Sequence, residues 1–380
     1  MSRRLSHVEL QGLPPALTGE ELNKEFFPFT LQSIRITRWH PHIVRALPLV
    51  WVLRQLSHLP SLRTLTIEHH VFSMFMLRVD EQSAAAALPV LPSIHTLKLV
   101  GYYARGVVHP KFVPKLAQSL PNLATLHLDC TALPGGSPEY TVDHLVLTNI
   151  PWWLKQDLTP WKVRRLTYVL GPDRGRSCFS LAHGRVDLST ALCLSITQPV
   201  IAAQIWDDMV EHAGDVRLFE LESSVTSFSE LVAPLIERRH CPTESLARVP
   251  LTCISISTRE LGIPWDSDGS WEQARNEFLR GASSCFPSLR YVAVATPHRP
   301  ARIAPAPAYP GDDIPVWTWW RVHRDSSDSV VEIKEIPVWE GRRVRKFLRD
   351  ANARAMRDFG GRSRRVAGGG SARPAGDIDK

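Results

Sequence analysis

The sequence lacks any long hydrophobic run. Its most apolar stretch, Ile43 to Leu53, is interrupted by Arg45 and is much shorter than the ~18 apolar residues that a membrane-spanning helix needs. The first twelve residues, MSRRLSHVELQG, also lack the apolar segment of a secretory signal peptide. These absences predict a cytoplasmic or nuclear protein that does not enter a membrane.

Cysteine is scarce, and the common catalytic motifs are missing. The six cysteines include no CxxC pair and no two at zinc-knuckle spacing, so we expect reduced, mostly buried thiols and no disulfide framework. The chain contains no HExxH, no P-loop, no GxGxxG after a strand and no GxSxG elbow. We therefore expect no enzyme activity, no catalytic residue and no cofactor.

The histidine pairs and one acidic turn are the remaining candidates for a metal site. His40 and His42, and likewise His69 and His70, have no cysteine or acidic cluster at ligand spacing nearby. The segment DSDG at residues 266–269 matches only part of a calcium-binding loop. The sequence therefore predicts no metal site.

Charge is distributed unevenly along the chain. The net charge is +7, but residues 341–380 alone hold 12 basic and 4 acidic residues, so the remaining 33 basic and 34 acidic residues nearly cancel. A basic tail of this kind is either a solvated end or a weak, non-specific binder of nucleic-acid phosphates. Both interpretations of residues 341–380 stay open.

A short repeat dominates the rest of the chain. The pattern apolar-x-x-apolar-x-apolar occurs eleven times, at steps of 19 to 38 residues. Three copies share a fuller form, LPSLRTLTI, LPSIHTLKL and LPNLATLHL, and FPSLRYVAV is a fourth. The copies are LSHVEL (5–10), LQSIRI (31–36), LRTLTI (62–67), IHTLKL (94–99), LATLHL (123–128), VDHLVL (142–147), VRRLTY (163–168), ALCLSI (191–196), VRLFEL (216–221), LTCISI (251–256) and LRYVAV (289–294).

The spacing within each copy predicts a β-strand. The fourth and sixth positions are two apart and therefore point to one face of a strand, and stacking neighbouring copies in parallel buries that face. Helix signals occupy several of the longer intervals, with capping boxes at residues 18–21, 227–230 and 270–273 and a proline-to-glycine segment at 199–214. The predicted fold class is α/β, with parallel strands on a concave face and helices and loops on a convex face.

The end of the chain differs from the repeats. Residues 299–313 are rich in proline and alanine and predict a linker. Residues 314–358 predict a β-hairpin around DSSD, followed by a charged helix from about Glu340 to Arg357. Residues 359–380 predict a disordered tail rich in glycine and arginine. In the hairpin, Trp317 and Trp319 share one face and Trp320 takes the other, which favours a cap on the last repeat over an exposed aromatic binding site.

The repeats and the closing segment WWRVHR…VVEIKEIPVWEGRRVRKFL resemble the leucine-rich-repeat (LRR) region of F-box-like proteins of basidiomycete, mushroom-forming fungi. The resemblance covers residues 1–298 as an irregular LRR solenoid and extends to the hairpin. The resemblance implies that this region is the part of a ubiquitin ligase that recognises its substrates. The interval between LPPALTGEEL (13–22) and the next strand is too short for a three-helix F-box, so an F-box adaptor and a cullin are expected partners only if another docking element exists.

Residues between the core positions of each strand are the candidate binding surface. They point away from the buried face, and their mixed polar character suits a protein partner more than a nucleic-acid groove. The candidate residues are Arg35, Thr64, Thr66, Lys98, His127, His144, Arg165, Ser195, Glu220, Ser255 and Tyr291.

The sequence thus predicts a non-enzymatic protein-interaction module similar to the substrate-recognition region of F-box proteins. Two alternatives remain open at this point. One is a stand-alone LRR scaffold or adaptor without a ubiquitin role, and the other is a nucleic-acid-associated protein that acts through the basic tail.

Overall fold

The structure is a computed structural model of the 380-residue chain. The structure describes residues 6–11, 27–37, 53–68, 89–100, 106–107, 118–129, 131–132, 140–149, 161–169, 191–198, 206, 211, 214–223, 233, 244–258, 270–296, 316–325, 327, 329–351 and 355.

Fifteen strands are present in these residues. Thirteen of them form one sheet, and β5 pairs with β7 in a separate two-stranded parallel sheet. The strands are β1 His7–Gln11, β2 Ser33–Thr37, β3 Thr64–Glu68, β4 Thr96–Val100, β5 Gly106–Val107, β6 Thr125–Asp129, β7 Thr131–Ala132, β8 Tyr140–Thr148, β9 Trp161–Val169, β10 Cys193–Gln198, β11 Leu218–Ser223, β12 Cys253–Thr258, β13 Tyr291–Thr296, β14 Val316–Arg324 and β15 Val330–Ile336.

All eleven predicted repeat copies contribute a strand to the large sheet. The strands β1, β2, β3, β4, β6 and β8 to β13 lie side by side in chain order, and each neighbouring pair is parallel. The prediction of an α/β chain with a mostly parallel sheet is therefore confirmed. Each of these strands lies parallel to the one before it and always on the same side of it, so the chain crosses over between consecutive strands. A solenoid requires this arrangement.

The core follows from the register of the copies. The fourth positions of successive copies pair directly, as in Leu65 with Leu97 and Leu97 with Leu126, and the sixth positions do the same. Nearly all of these residues are buried in one continuous hydrophobic cluster. Each fully buried leucine or isoleucine stabilises the fold by ~1.5–3 kcal/mol. Burial of the apolar positions of the repeat is therefore the main source of the stability of the fold.

A backbone ladder joins consecutive copies where each strand begins. The carbonyl of Gln32 accepts hydrogen bonds from the N–H groups of Arg63 and Thr64, at 2.8 and 3.1 Å, and the carbonyl of Arg63 accepts from the next copy in the same way. The same arrangement joins β10 to β11, β11 to β12 and β12 to β13. The ladder explains why each copy is an extended segment from its second position onward.

Three helices have described bounds, α1 Glu244–Arg248, α2 Ser270–Cys285 and α3 Val338–Asp350. The predicted helix start at Ser270 is confirmed. Helix α2 packs on the main core through Phe278 and Ala282, which are fully buried. The predicted capping boxes at 18–21 and 227–230 lie outside the described residues, as does the 199–214 segment apart from residues 206, 211 and 214.

The sheet ends in two antiparallel strands. β14 pairs antiparallel with β13, and β15 pairs antiparallel with β14. Trp320 joins the main hydrophobic core and Trp319 joins a second cluster, so the predicted alternation of the tryptophans is confirmed. The predicted linker at 299–313 and tail at 359–380 lie outside the described part of the chain. No described helix is long and apolar enough to cross a membrane.

Candidate functional site

The eleven candidate residues lie in two adjacent rows on one face of the sheet. One row is formed by third positions of the copies and contains Thr64, His144, Arg165 and Tyr291. The other is formed by fifth positions and contains Arg35, Thr66, Lys98, His127, Ser195, Glu220 and Ser255. Because these positions alternate with the core positions, both rows lie on the face opposite the main core.

Exposure falls steadily along this face. The Arg35 side chain is 48% exposed, the side chains from Thr64 to Ser195 are half-buried, and Glu220, Ser255 and Tyr291 are buried. We call the third and fifth positions of the copies in β1 to β4, β6 and β8 the open polar face. The same positions of the copies in β10 to β13 are the covered polar face. The structure thus brings the predicted residues onto one surface but leaves only part of that surface accessible.

Two ion pairs occur on the open polar face. Arg35 Nε lies 4.0 Å from Glu9 Oε1, and Lys98 Nζ lies 3.8 Å from Asp129 Oδ2. These distances are longer than a charge-assisted hydrogen bond, and such exposed pairs contribute only about 0–1 kcal/mol. The two cations can therefore turn to a ligand at little cost to the fold.

Two histidines on the open polar face pair with threonine hydroxyls. His127 Nε2 lies 2.7 Å from Thr148 Oγ1, and His144 Nε2 lies 2.9 Å from Thr167 Oγ1. Burial, together with the positive charge of Lys98 beside His127 and of Arg165 beside His144, lowers the pKa of each histidine to about 4. Both imidazoles are therefore neutral at pH 7 and are polar, uncharged groups on this face.

Helix α3 covers the C-terminal part of the same face. Val344 and Leu348 of α3 belong to the second hydrophobic cluster, together with Cys193, Leu218, Cys253, Tyr291, Trp319 and others from the sheet. Gly341 lies against the Trp319 indole so closely that a Cβ atom would overlap the ring. The sheet is therefore covered on both sides at this end, by α2 over the main core and by α3 over the opposite face.

Charged groups join α3 to the sheet. Glu220 Oε1 accepts a hydrogen bond of 2.6 Å from Arg345 Nε, and Glu220 Oε2 accepts one of 2.6 Å from Arg349 Nη2 and one of 2.7 Å from Ser195 Oγ. Burial alone would favour the protonated acid, but Arg345 and Arg349 hold the pKa of Glu220 below its ordinary value. This carboxylate is therefore ionised, buried and shared between two arginines.

A further arginine meets the C-terminal end of α3. Arg164 Nη1 donates to the carbonyls of Arg349 and Ala351, at 2.6 and 3.1 Å, and Nη2 donates to Asp143 Oδ2 at 2.8 Å. Carbonyls at a helix C-terminus lack partners within the helix and carry partial negative charge, so a cation there is stabilising. The hydrogen bond from Arg164 also lowers the pKa of Asp143.

A cleft lies where the open and covered parts of the face meet. Its volume is about 340 Å³, and it lies between α3 and the residues of β9 to β12. Arg165, Ser255, Trp317, Arg345 and Arg349 contribute to its walls. The cleft is partly open, so a small group can reach the buried end of the polar face.

The described cysteines are buried thiols. Cys193, Cys253 and Cys285 are free and buried, as predicted for them, while the other three cysteines lie outside the described residues. Burial raises the pKa of Cys193 to about 12 and that of Cys253 further, and a thiol that stays protonated is unreactive. Among the described side chains, no group of three or more His, Cys, Asp and Glu could hold a metal ion; the candidates at 40/42, 69/70 and 266–269 fall outside them.

Sequence reasoning missed that a helix covers part of the polar face. A signal was present in the third positions of the copies, which are polar through Thr125, His144 and Arg165 and then become Cys193, Leu218, Cys253 and Tyr291. Apolar residues on both faces of a strand indicate that both faces are buried. The change at β10 therefore marks where α3 begins to cover the sheet.

The chain matches no model of a known protein family, and a search of the curated proteins finds no match.

Proposed function

We propose that the chain is a non-enzymatic module that binds a protein partner on the open polar face. The supporting observation is a row of polar side chains on five neighbouring parallel strands, one from each strand and paired in register, formed by Glu9, Arg35, Thr66, Lys98 and His127. Neighbouring strands lie about 4.8 Å apart, so the row offers regularly spaced polar contacts to a partner surface. Its two loose ion pairs leave both cations available.

We also propose that the sheet is the strand side of an irregular LRR solenoid, with β14, β15 and α3 as its C-terminal cap. The last parallel strand would otherwise expose unpaired backbone groups and the end of the repeat core. β14 supplies the backbone partners of β13, while Trp320 is buried against the main core and Trp319 beneath α3. These contacts favour the interpretation of this segment as a cap rather than as an exposed aromatic binding site.

The resemblance to F-box-like proteins extends the proposal to ubiquitin ligases. In that case the partner on the open polar face is a substrate, and ubiquitin transfer is carried out by other subunits. A stand-alone scaffold uses the same face without an adaptor. The two differ in whether the F-box adaptor and a cullin accompany the chain.

Affinity purification of the full-length chain from its native cells, read by quantitative mass spectrometry, tests these proposals. Three forms are compared: the wild type, the double variant Arg35→Glu/Lys98→Glu, and Arg280→Glu as a matched charge reversal on an exposed residue of α2. We expect a defined set of proteins to be captured by the wild type and by Arg280→Glu but depleted at least about tenfold by the double variant.

Two outcomes separate the versions of the proposal. Adaptor and cullin in the captured set support the ligase role, and their absence with a defined partner supports the scaffold. Equal capture of every protein by all three forms contradicts binding on the open polar face.

A second candidate function uses the outer side of α3. Arg342, Arg343 and Lys346 are exposed there, and Trp339 beside them is 61% exposed, with the Arg343 guanidinium 6.0 Å from its ring centre. Exposed cations with an aromatic side chain suit non-specific contact with nucleic-acid phosphates and bases. This set continues into the basic tail predicted from the sequence.

The second candidate is tested in the full chain by the triple variant Arg342→Glu/Arg343→Glu/Lys346→Glu. This variant leaves Arg345 and Arg349 on Glu220, whereas deletion of residues 341–380 would also remove the cover of the sheet. Binding to a single-stranded oligonucleotide should weaken steeply with salt and be lost in the variant. Salt-independent binding, or binding that the variant retains, would overturn this candidate.

A further inference from the structure

One arginine of the cleft beside α3 has a buried side-chain nitrogen without a hydrogen-bond partner among the described residues. Arg165 Nε is buried and makes no hydrogen bond, whereas Arg164, Arg345 and Arg349 next to it are each paired with a carboxylate. Guanidinium is charged at all relevant pH values and has only donors, and buried donors in folded proteins are rarely left unpaired. The described part of the chain therefore supplies no hydrogen-bond acceptor for Arg165 Nε.

A second unsatisfied group lines the same cleft. Ser255 is fully buried, at 0% exposure, and its hydroxyl lies beside the Cys253 thiol and makes no hydrogen bond to a nitrogen or oxygen atom of the described residues. Its strand neighbour Glu220 already receives hydrogen bonds from Ser195, Arg345 and Arg349. A guanidinium and a hydroxyl that are both free to donate are complementary to a group that only accepts hydrogen bonds.

We propose that this cleft binds a short aliphatic carboxylate, with Arg165 as the residue that recognises its charge. Three arginines and two glutamates, Glu220 and Glu222, line the cleft, so these side chains carry a net charge of +1. A carboxylate monoanion balances that charge, whereas a phosphate dianion exceeds it and is repelled about twice as strongly by the two glutamates. Recognition by one guanidinium and a hydroxyl suits the planar carboxylate group.

The size and the wall of the cleft define the rest of the ligand. A volume of about 340 Å³ is near the lower end for small-molecule sites, so the cleft suits a small ligand. The Trp317 indole forms one wall; the Arg345 guanidinium lies 5.0 Å from its ring centre, and the part of this half-buried indole that stays accessible offers an apolar surface to methylene groups. A free short-chain acid and a glutamate side chain of a peptide both present this chemistry.

Ligand-detected NMR on the full-length chain at pH 7 and constant ionic strength tests the proposal. The probes are sodium propionate and the blocked peptide acetyl-Ala-Glu-Ala-amide, each with its neutral counterpart, propionamide or the glutamine peptide. We expect saturable binding of one or both carboxylates below about 10 mM and none of the neutral probes. Binding of propionate alone indicates a free acid as the source, and binding of the peptide indicates an acidic side chain.

Variants assign the binding to Arg165. Arg165→Gln should weaken the binding of the carboxylate probe by about tenfold or more. Arg165→Lys should retain part of the affinity because the positive charge remains. Arg280→Gln removes an exposed arginine of α2, on the other side of the sheet, and should leave the probe affinity unchanged.

Three results would overturn the proposal: no saturable carboxylate binding to the wild type, equal loss in Arg280→Gln, or tighter binding of inorganic phosphate than of propionate. The wild-type titration decides by itself if Arg165→Gln does not fold. The inference is independent of the partner proposed for the open polar face, whose capture is measured separately.

Discussion

Arg349 Nη2 lies 2.6 Å from Glu220 Oε2, although the two residues are 129 positions apart in the chain. This contact joins α3 to β11 across the covered polar face. Its carboxylate is buried, and Arg345 Nε contacts the other oxygen at 2.6 Å. The ion pair therefore determines where the accessible part of the face ends, and it can be tested directly.

Replacement of Glu220 should loosen α3. Glu220→Gln leaves Arg345 and Arg349 partly buried without a counter-charge, and we expect the free energy of unfolding to fall by about 2 kcal/mol. Urea denaturation followed by circular dichroism measures the change. Glu9→Gln alters an exposed pair at the far end of the same face and should cost less than about 0.5 kcal/mol. Equal effects of the two changes would show that Glu220 does not anchor α3.

Glycine at position 341 should be required for the docking of α3. A Cβ atom there would overlap the buried Trp319 ring, so Gly341→Ala should destabilise the chain by about 1–3 kcal/mol through overpacking. Gly214→Ala is the matched control, because nothing lies within 4 Å of the Cβ it would add. Thermal unfolding of the two variants should differ clearly, and a wild-type melting temperature for Gly341→Ala would contradict the packing described.

Thiol labelling should report the position of α3. Cys193 and Cys253 lie in the cluster beneath α3, whereas Cys285 lies in the main core on the other side of the sheet. In Glu220→Gln, iodoacetamide should label Cys193 and Cys253 about tenfold faster than in the wild type, because local opening exposes thiols that burial keeps protonated.

Peptide mass spectrometry separates the three cysteines, so Cys285 serves as an internal control. A parallel increase at Cys285 would indicate global unfolding instead of undocking of α3. Unchanged labelling at all three positions would show that α3 stays in place without the ion pair.

Stability should fall as the pH is lowered below about 6.5. The unfolded chain protonates His127 and His144 near 6.5, but their folded pKa values are about 4, so between these values the unfolded state binds more protons. The contribution of these two histidines to the free energy of unfolding should therefore be fully present above pH 6.5 and should decrease as the pH falls toward 4. Allowing for their partial solvent exposure, each histidine should contribute about 1 kcal/mol to the loss by pH 5.

Urea denaturation between pH 7.5 and pH 5 checks this dependence while the carboxylates remain ionised. The double variant His127→Asn/His144→Asn should show a flatter profile over this range. An equally steep profile in the variant would assign the pH dependence to other groups.

The strands and their core could be predicted because they depend on local spacing. A copy such as LRTLTI places Leu65 and Ile67 on one face whatever the rest of the chain does. Repetition then makes pairing between equivalent positions the arrangement that buries the most apolar surface. The registers Leu65 with Leu97 and Leu97 with Leu126 follow from that rule.

The covered polar face could not be derived in the same way. Glu220 has the same position in its strand as Lys98, and spacing alone assigns both to the accessible surface. Only the change of third positions to Cys193 and Leu218 hints at a cover, and it does not say which segment provides it. That choice depends on contacts between residues far apart in sequence, which no local pattern encodes.

The sequence by itself determined that eleven copies of the repeat form strands, which side of each of these strands is apolar, and that the polar positions line up on the opposite side. The tertiary structure decided which of those polar positions remain accessible. It brings Val344 and Leu348 against the sheet, pairs Arg345 and Arg349 with Glu220, and places Arg164 at the end of α3. The physical reason is that alternation along a strand is a local property, whereas burial of a charged residue is stabilised only where its partners from distant segments meet it.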